Sequence, residues 1–153
     1  MRLRVLAVGR DRSGLYTPAV EEYARRLARY ARFELVEVPE ARKNAGTPLA
    51  REEEAEGVLR RLDKRERVVL LDERGDEPTS AELARRLARW LSAGKDVAFV
   101  LGGSDGHGEA VRERADETWA LSRLTLAHRL ARLVLMEQLY RAFTILRGEP
   151  YHK

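Results

Sequence analysis

The chain has 153 residues, 44% apolar and 35% charged, a balance that suits one buried core and excludes a disordered polyelectrolyte. It contains no cysteine, which excludes disulfides, thiolate metal sites and a cysteine nucleophile. The net charge of +4 lies entirely within residues 119–153, where Arg123, Arg129, Arg132, Arg141, Arg147 and Lys153 face only Glu137 and Glu149, a placement that suits either a polyanionic partner or a solvated basic helix face.

Arg2–Val8 alternates apolar residues (Leu3, Val5, Ala7) with others and breaks at Gly9, the pattern of a strand. This opening is too short and too charged at Arg2 and Arg4 for a signal peptide. No apolar run reaches the roughly 18 residues that span a bilayer, so a cytoplasmic location is expected. Thr17 and Pro18 open a helix running to about Ala31. Phe33–Val38 alternates again as a second strand, Glu40–Thr47 reads as a flexible loop, and a charged helix follows over Pro48–Asp63. Val68–Leu71 is a continuous apolar run, as in a strand covered on both faces. Thr79 with Glu82 three residues later predicts a capping box, behind which Leu83, Leu87, Trp90 and Leu91 recur at helical spacing until Gly94. Val97–Leu101 is the most apolar strand, and the glycine-rich Gly102–Gly108 follows it. A short helix near Glu109–Arg114, an extended piece around Thr118–Leu121 and a long helix over Leu130–Leu146 complete the chain. Strands alternating with helices, without repeat or linker, predict one α/β domain over residues 1–153, with a mostly parallel sheet and helices on both faces.

Ligands of open α/β sheets bind beyond the carboxyl ends of the strands. Two such ends carry candidate chemistry, Leu71-Asp72-Glu73-Arg74-Gly75 and Leu101-Gly102-Gly103-Ser104-Asp105-Gly106-His107-Gly108. Glycines there let backbone approach a ligand and leave N–H groups free at a helix start; an ordinary tight turn would use the same residues. The cluster lacks the Gly-Lys-Ser/Thr of a phosphate loop, and only Gly9 and Gly14 follow the first strand, which disfavours a dinucleotide or flavodoxin-like site.

The stretch Trp119-Ala-Leu-Ser-Arg-Leu-Thr-Leu-Ala-His128 and the tail from Leu135-Met-Glu-Gln-Leu-Tyr-Arg-Ala-Phe to Gly148-Glu-Pro-Tyr-His-Lys153 resemble the ribosomal RNA large subunit methyltransferase H family. These are pseudouridine N3-methyltransferases of 23S ribosomal RNA within the SPOUT superfamily. The resemblance runs the full length and is strongest over residues 97–153. It implies a SPOUT-type sheet with a C-terminal trefoil knot, which residue periodicity does not predict and general topology disfavours. It also implies a homodimer with its active site near the subunit interface, and the ribosome as partner. S-adenosylmethionine is placed by the same resemblance on Leu71, on Gly102 and Gly103, and on Ser122, Arg123, Leu124, Thr125, Leu126 and Ala127. Ala127 and Ser104 stand where the family often has proline.

Methyl transfer to N3 needs an in-line approach, exclusion of water and help with the departing proton. The candidates are His128, Arg132, Arg141, Tyr151 and His152, with Arg129 and Arg132 as candidate phosphate contacts. His107 reads as a solvated loop residue, and Tyr140 and Phe143 as core. Three scattered histidines give no metal-ligand spacing, so no metal is expected. A SPOUT enzyme acting on transfer RNA, and a non-catalytic ribosome- or RNA-binding protein, remain open on the same residues.

Overall fold

The computed structural model describes residues 1–103 and 105–153. Ser104, one of the two departures from the family pattern, lies outside them. Five parallel strands make one sheet: β1 (Arg2–Val8) lies between β2 (Arg32–Val38) and β4 (Val97–Leu101), β3 (Arg67–Asp76) flanks β4, and β5 (Glu117–Trp119) closes that edge. Because every pairing is parallel, all five carboxyl ends reach the same rim.

Covering both faces explains why the central strands are continuously apolar; every residue of β4 is buried. Helices α1 (Thr17–Leu27), α3 (Ser80–Ser92) and α5 (His128–Leu146) pack Leu27, Leu87, Leu135 and Leu139 against Leu3, Val5, Val69 and Phe99. Helices α2 (Pro48–Arg61) and α4 (Glu109–Arg114) pack Ala55, Val58 and Val111 against Leu6, Val8, Leu70 and Val100. The two sets of strand residues alternate, as opposite faces of a pleated sheet require. The capping box forms in full: Thr79 N–H donates to Glu82 Oε2 at 2.7 Å, and Glu82 N–H donates to Thr79 Oγ1 at 3.1 Å. Thr47 caps α2 just ahead of Pro48, which needs no N–H partner there.

Several boundaries differ from the sequence reading, α2 ending at Arg61 rather than Asp63 and β5 running Glu117–Trp119 rather than Thr118–Leu121. The first helix ends at Leu27, and residues 28–30 form turns rather than further helix. The last helix begins at His128 rather than Leu130. β3 continues past Leu71 to Asp76 through a break in register, so Trp119 pairs with both Leu71 and Asp76. The extension is polar and exposed, so it carries no apolar run to betray it.

At the opposite rim Arg4 grips Glu66, with Nε on Oε1 at 2.8 Å and Nη2 on Oε2 at 2.6 Å, and Nη2 also donates to the Arg61 carbonyl. Both residues are buried. Glu66 further accepts from Asp63 N–H. Removing one partner strands the other charge in the interior, so Glu66→Ala is expected to cost about 3–5 kcal/mol in urea unfolding. A loss below about 1 kcal/mol would mean that water readily reaches Arg4.

Candidate active site beyond the strand ends

A cavity of about 420 Å³ opens at the carboxyl rim, between the ends of β3 and β4 and the segment leading into α5. Its walls include Leu71 from β3, Gly102 and Gly103 from the turn after β4, and Ser122, Leu124, Thr125 and Leu126 ahead of α5. His128, in the first turn of α5, completes the wall. Eight of the fourteen residues singled out from the sequence therefore meet here. Arg123 turns outward, its side chain 88% exposed and 3.6 Å from Glu77. Ala127 caps α5, its carbonyl accepting from Ala131 N–H at 2.8 Å.

Each wall is pinned by a specific bond. The glycine turn closes on itself, Gly106 N–H donating to the Gly103 carbonyl at 3.1 Å. Gly103 owes its size to packing on the protein side: a Cβ there would lie 3.2 Å from Val8 and 3.6 Å from Glu54 Oε1. Glu54 is buried behind the turn, with one oxygen accepting from Ala41 N–H and the other without a partner among the described residues; burial pushes its pKa up, with nearby Asp105 and Glu40 adding to that. On the last wall, Ser122 Oγ accepts from Leu124 N–H, and Thr125 Oγ1 donates to Glu73 Oε2 at 2.8 Å.

Two polar features of the cavity were not expected. His107 is not a solvated loop residue: it is half-buried and bonds across the cavity base, its Nε2 2.8 Å from the Leu71 carbonyl. Burial lowers its pKa against the opposing pull of that carbonyl, so at neutral pH the ring is uncharged and Nε2–H donates. Asp72 ties the wall from below, meeting Arg112 at 2.7 Å and Arg74 at 3.2 Å. Burial alone would raise its pKa, but the hydrogen bonds from Arg74 and Arg112 hold it well below the usual carboxylate range. The Leu-Asp end of an apolar run was the available signal for Asp72; for His107 there was none, because its partner is a main-chain atom.

The remaining candidates lie elsewhere. Arg132 is buried and donates to the Gly9 carbonyl at 2.6 Å and to Glu37 at 3.1 Å, so it braces β1 and β2 rather than facing the cavity. Arg129 is likewise engaged, with Arg10, Asp11 and Glu40. Arg141, Tyr151 and His152 gather around Glu137: Arg141 donates to Glu137 Oε1 at 2.7 Å and to His152 Nδ1 at 3.2 Å, and Tyr151 Oη donates to Glu137 at 3.0 Å. Burial, then Tyr23 and Glu137, push the Tyr151 hydroxyl well up, so it stays protonated. This cluster sits 13 residues along α5 from His128, about 20 Å at the helical rise. His128 has a buried Nε2 with no partner among the described residues, and burial followed by the charge of Arg129 lowers its pKa.

The sequence matches over residues 1–152 a family model described as "Predicted SPOUT methyltransferase". The chain belongs to the SPOUT methyltransferases. It is 72% identical over its whole length, and that of its relative, to a ribosomal RNA large subunit methyltransferase H from Anaeromyxobacter sp. (strain Fw109-5). It is 44% identical, over 99% of each chain, to the protein of that name from Geotalea daltonii. Within the SPOUT class its family is that of ribosomal RNA large subunit methyltransferase H. In fold it is similar to a solved structure of a probable rRNA-methyltransferase from Porphyromonas gingivalis, with TM-score 0.56 and 13% identity over 95% of this chain and 70% of that one.

Because the folded pKa of His107 lies below its unfolded value, its contribution to stability is present above about pH 6.5 and is lost as pH falls through the folded value. Chemical unfolding between pH 7 and 5 should show a fall in stability that is partly absent in His107→Leu. Identical pH slopes in the two proteins would detach His107 from that effect.

Proposed function

We propose that this chain transfers a methyl group from S-adenosylmethionine to N3 of a pseudouridine in 23S ribosomal RNA, acting as a homodimer on the assembled ribosome. The observation that carries this reading is the meeting of Leu71, Gly102, Gly103 and the Ser122–Leu126 segment, far apart in sequence, around one cavity. These residues fit the cofactor: the cavity volume is that of a small-molecule site, with Leu71, Leu124 and Leu126 to flank a flat base. The donor, when bound, supplies a methyl group on a positively charged sulfur. Arg123 and Ala127, which lie outside the cavity wall, frame the segment that closes over it.

His128 lines the cavity, is uncharged at neutral pH and has a buried Nε2 without a partner among the described residues, so it is suited to take the N3 proton once the site is engaged. Arg141 and His152 are suited to hold the pyrimidine and its developing negative charge, with Tyr151 fixing their arrangement through Glu137. Arg132 supports the site from behind through Gly9. The separation of some 20 Å along α5 supports a dimer in which one copy supplies the cavity and the other its chain end. The exposed Leu124 and Leu15, 76% and 72% accessible, suit burial by a second copy. The C-terminal trefoil knot belongs to this reading; β3 and β5 lie side by side there, Ala120 N–H donating to the Asp76 carbonyl at 2.7 Å. No helix among the described residues is long and apolar enough to cross a membrane.

Wild-type protein incubated with the labelled donor should methylate large-subunit RNA within 70S ribosomes, and mass spectrometry of the nucleosides should find 3-methylpseudouridine. Label confined to transfer RNA would replace the substrate; no uptake of donor by calorimetry would leave only a binding protein.

Two variants test the shared site. His128→Ala should keep an intact chain end, and deletion of Tyr151, His152 and Lys153 should keep an intact cavity. Each alone should lose most turnover while binding the donor, since a misplacement of about 1 Å costs on the order of a hundredfold. Mixed and allowed to exchange, they should recover about one quarter of wild-type turnover, because half the dimers hold one complete site. Absence of recovery in a mixture shown to exchange would place both halves within one chain.

If His128 takes the proton, the acid limb of kcat/KM should have a midpoint below 6.5, with activity rising as the ring loses its charge. A midpoint above 6.5, or an unchanged limb in His128→Ala, would exclude it as the base.

A further inference from the structure

A second basic surface lies on the seam between α3 and α5. Arg85, Arg86 and Arg89 project from α3 into a groove of about 560 Å³ that is closed at its far end by Leu146. Arg86 forms its floor, lying 5.0 Å over the Trp119 ring and 3.4 Å from Glu117. Arg85 and Arg89 are exposed and, among the described residues, make no ion pair. They stand four positions apart and so share one face, where like charges disfavour the helix. The groove's one carboxylate, Glu82, is already engaged in the capping box.

The tail arginines contrast with this. Arg123, Arg129, Arg132 and Arg141 all meet carboxylates, so the charge surplus counted along the sequence is largely cancelled in space. In the groove Arg86 meets Glu117, but Arg85 and Arg89 keep their charge. The groove also starts close to the proposed substrate-holding cluster: Ser80 Oγ, at the head of α3, bonds to Gln138 at 2.6 Å, and Gln138 adjoins Glu137.

We infer that the Arg85–Arg86–Arg89 groove binds the phosphate backbone of the ribosomal RNA flanking the target nucleotide, on the protomer that contributes its chain end. This rests on the ribosomal RNA reading above. Arg85 and Arg89 neutralise successive phosphates along one strand, and exposed Leu146 meets the sugar edge between them. The contacts give affinity rather than sequence choice, which suits an enzyme whose target is fixed by the particle.

The test compares the full-length wild type with Arg85→Ala/Arg89→Ala and with Arg85→Lys/Arg89→Lys. Thermal unfolding and donor titration should be unchanged in both, since neither residue touches the cavity. Binding of the alanine variant to 70S ribosomes should weaken about tenfold or more near physiological salt, and the slope of log affinity against log salt should flatten by about two. Its KM for ribosomes should rise while kcat at saturation is kept, and the lysine variant should retain most of the affinity. Unchanged affinity and salt slope in the alanine variant, with the wild type binding normally, would overturn the groove alone. Weakened binding to ribosomes with unchanged binding to naked large-subunit RNA would assign the groove to a ribosomal protein and overturn it as an RNA contact. Failure of the wild type to bind ribosomes in a salt-dependent way would overturn the substrate reading and the groove together.

Discussion

At Gly75 and Gly108 main chain lies directly on main chain, and the cavity depends on both contacts. A Cβ at Gly75 would fall 2.6 Å from the Thr118 carbonyl, and one at Gly108 would fall 2.7 Å from the Arg51 carbonyl. The first presses the extension of β3 onto β5 and sets where the Leu121–Ala127 segment departs. The second presses the start of α4 onto α2 and fixes the far end of the glycine turn. Only with both segments so held can His107 reach the Leu71 carbonyl and Asp72 reach Arg112. The polar bonds of the cavity are therefore downstream of two steric facts, and neither partner can retreat without moving an element of the sheet.

Charge behaves differently in three dimensions from the way it reads along the chain. The surplus in residues 119–153 is real as a count, yet α5 lays Arg129 and Arg132 against carboxylates of β2 and of the loops after β1 and β2. Arg132 in particular is a brace, its guanidinium filling two acceptor positions that the ends of β1 and β2 leave open. Such partly shielded pairs stabilise the joint between the last helix and the first strands more than they advertise a surface. Arg85 and Arg89, which make no ion pair among the described residues, belong to α3, whose three arginines against Glu82 drew no notice beside the surplus in residues 119–153.

The strands and helices were legible because each has a period that burial enforces: Leu3, Val5 and Ala7 on one face of β1, Leu83 and Leu87 under α3. The capping box at Thr79 and Glu82 was legible because its chemistry is local. The end of β3 was not, since residues 72–76 are polar and pair only through a register break created by β5. Within the site, the family resemblance carried Leu71, the glycine pair and the Ser122–Leu126 segment. It also named Arg141, Tyr151 and His152, but their grouping around Glu137 depends on the turn at Gly148 that folds the chain end back along α5. His107 escaped because a side chain bonding to a main-chain carbonyl 36 residues away leaves no mark in composition or spacing.

The placement of His128 and Arg141 at separate levels of α5 has a consequence for how activity scales. In the proposed dimer, where different copies contribute the cavity and the chain-end cluster, a lone folded chain would hold the donor yet have no means of presenting the nucleotide to it. Specific activity then depends on enzyme concentration, falling on dilution below the point at which copies part, while helix content and donor binding persist. Turnover is thereby set by the abundance of pairs rather than of chains, and a modest change in expression changes the active population by more than its own proportion.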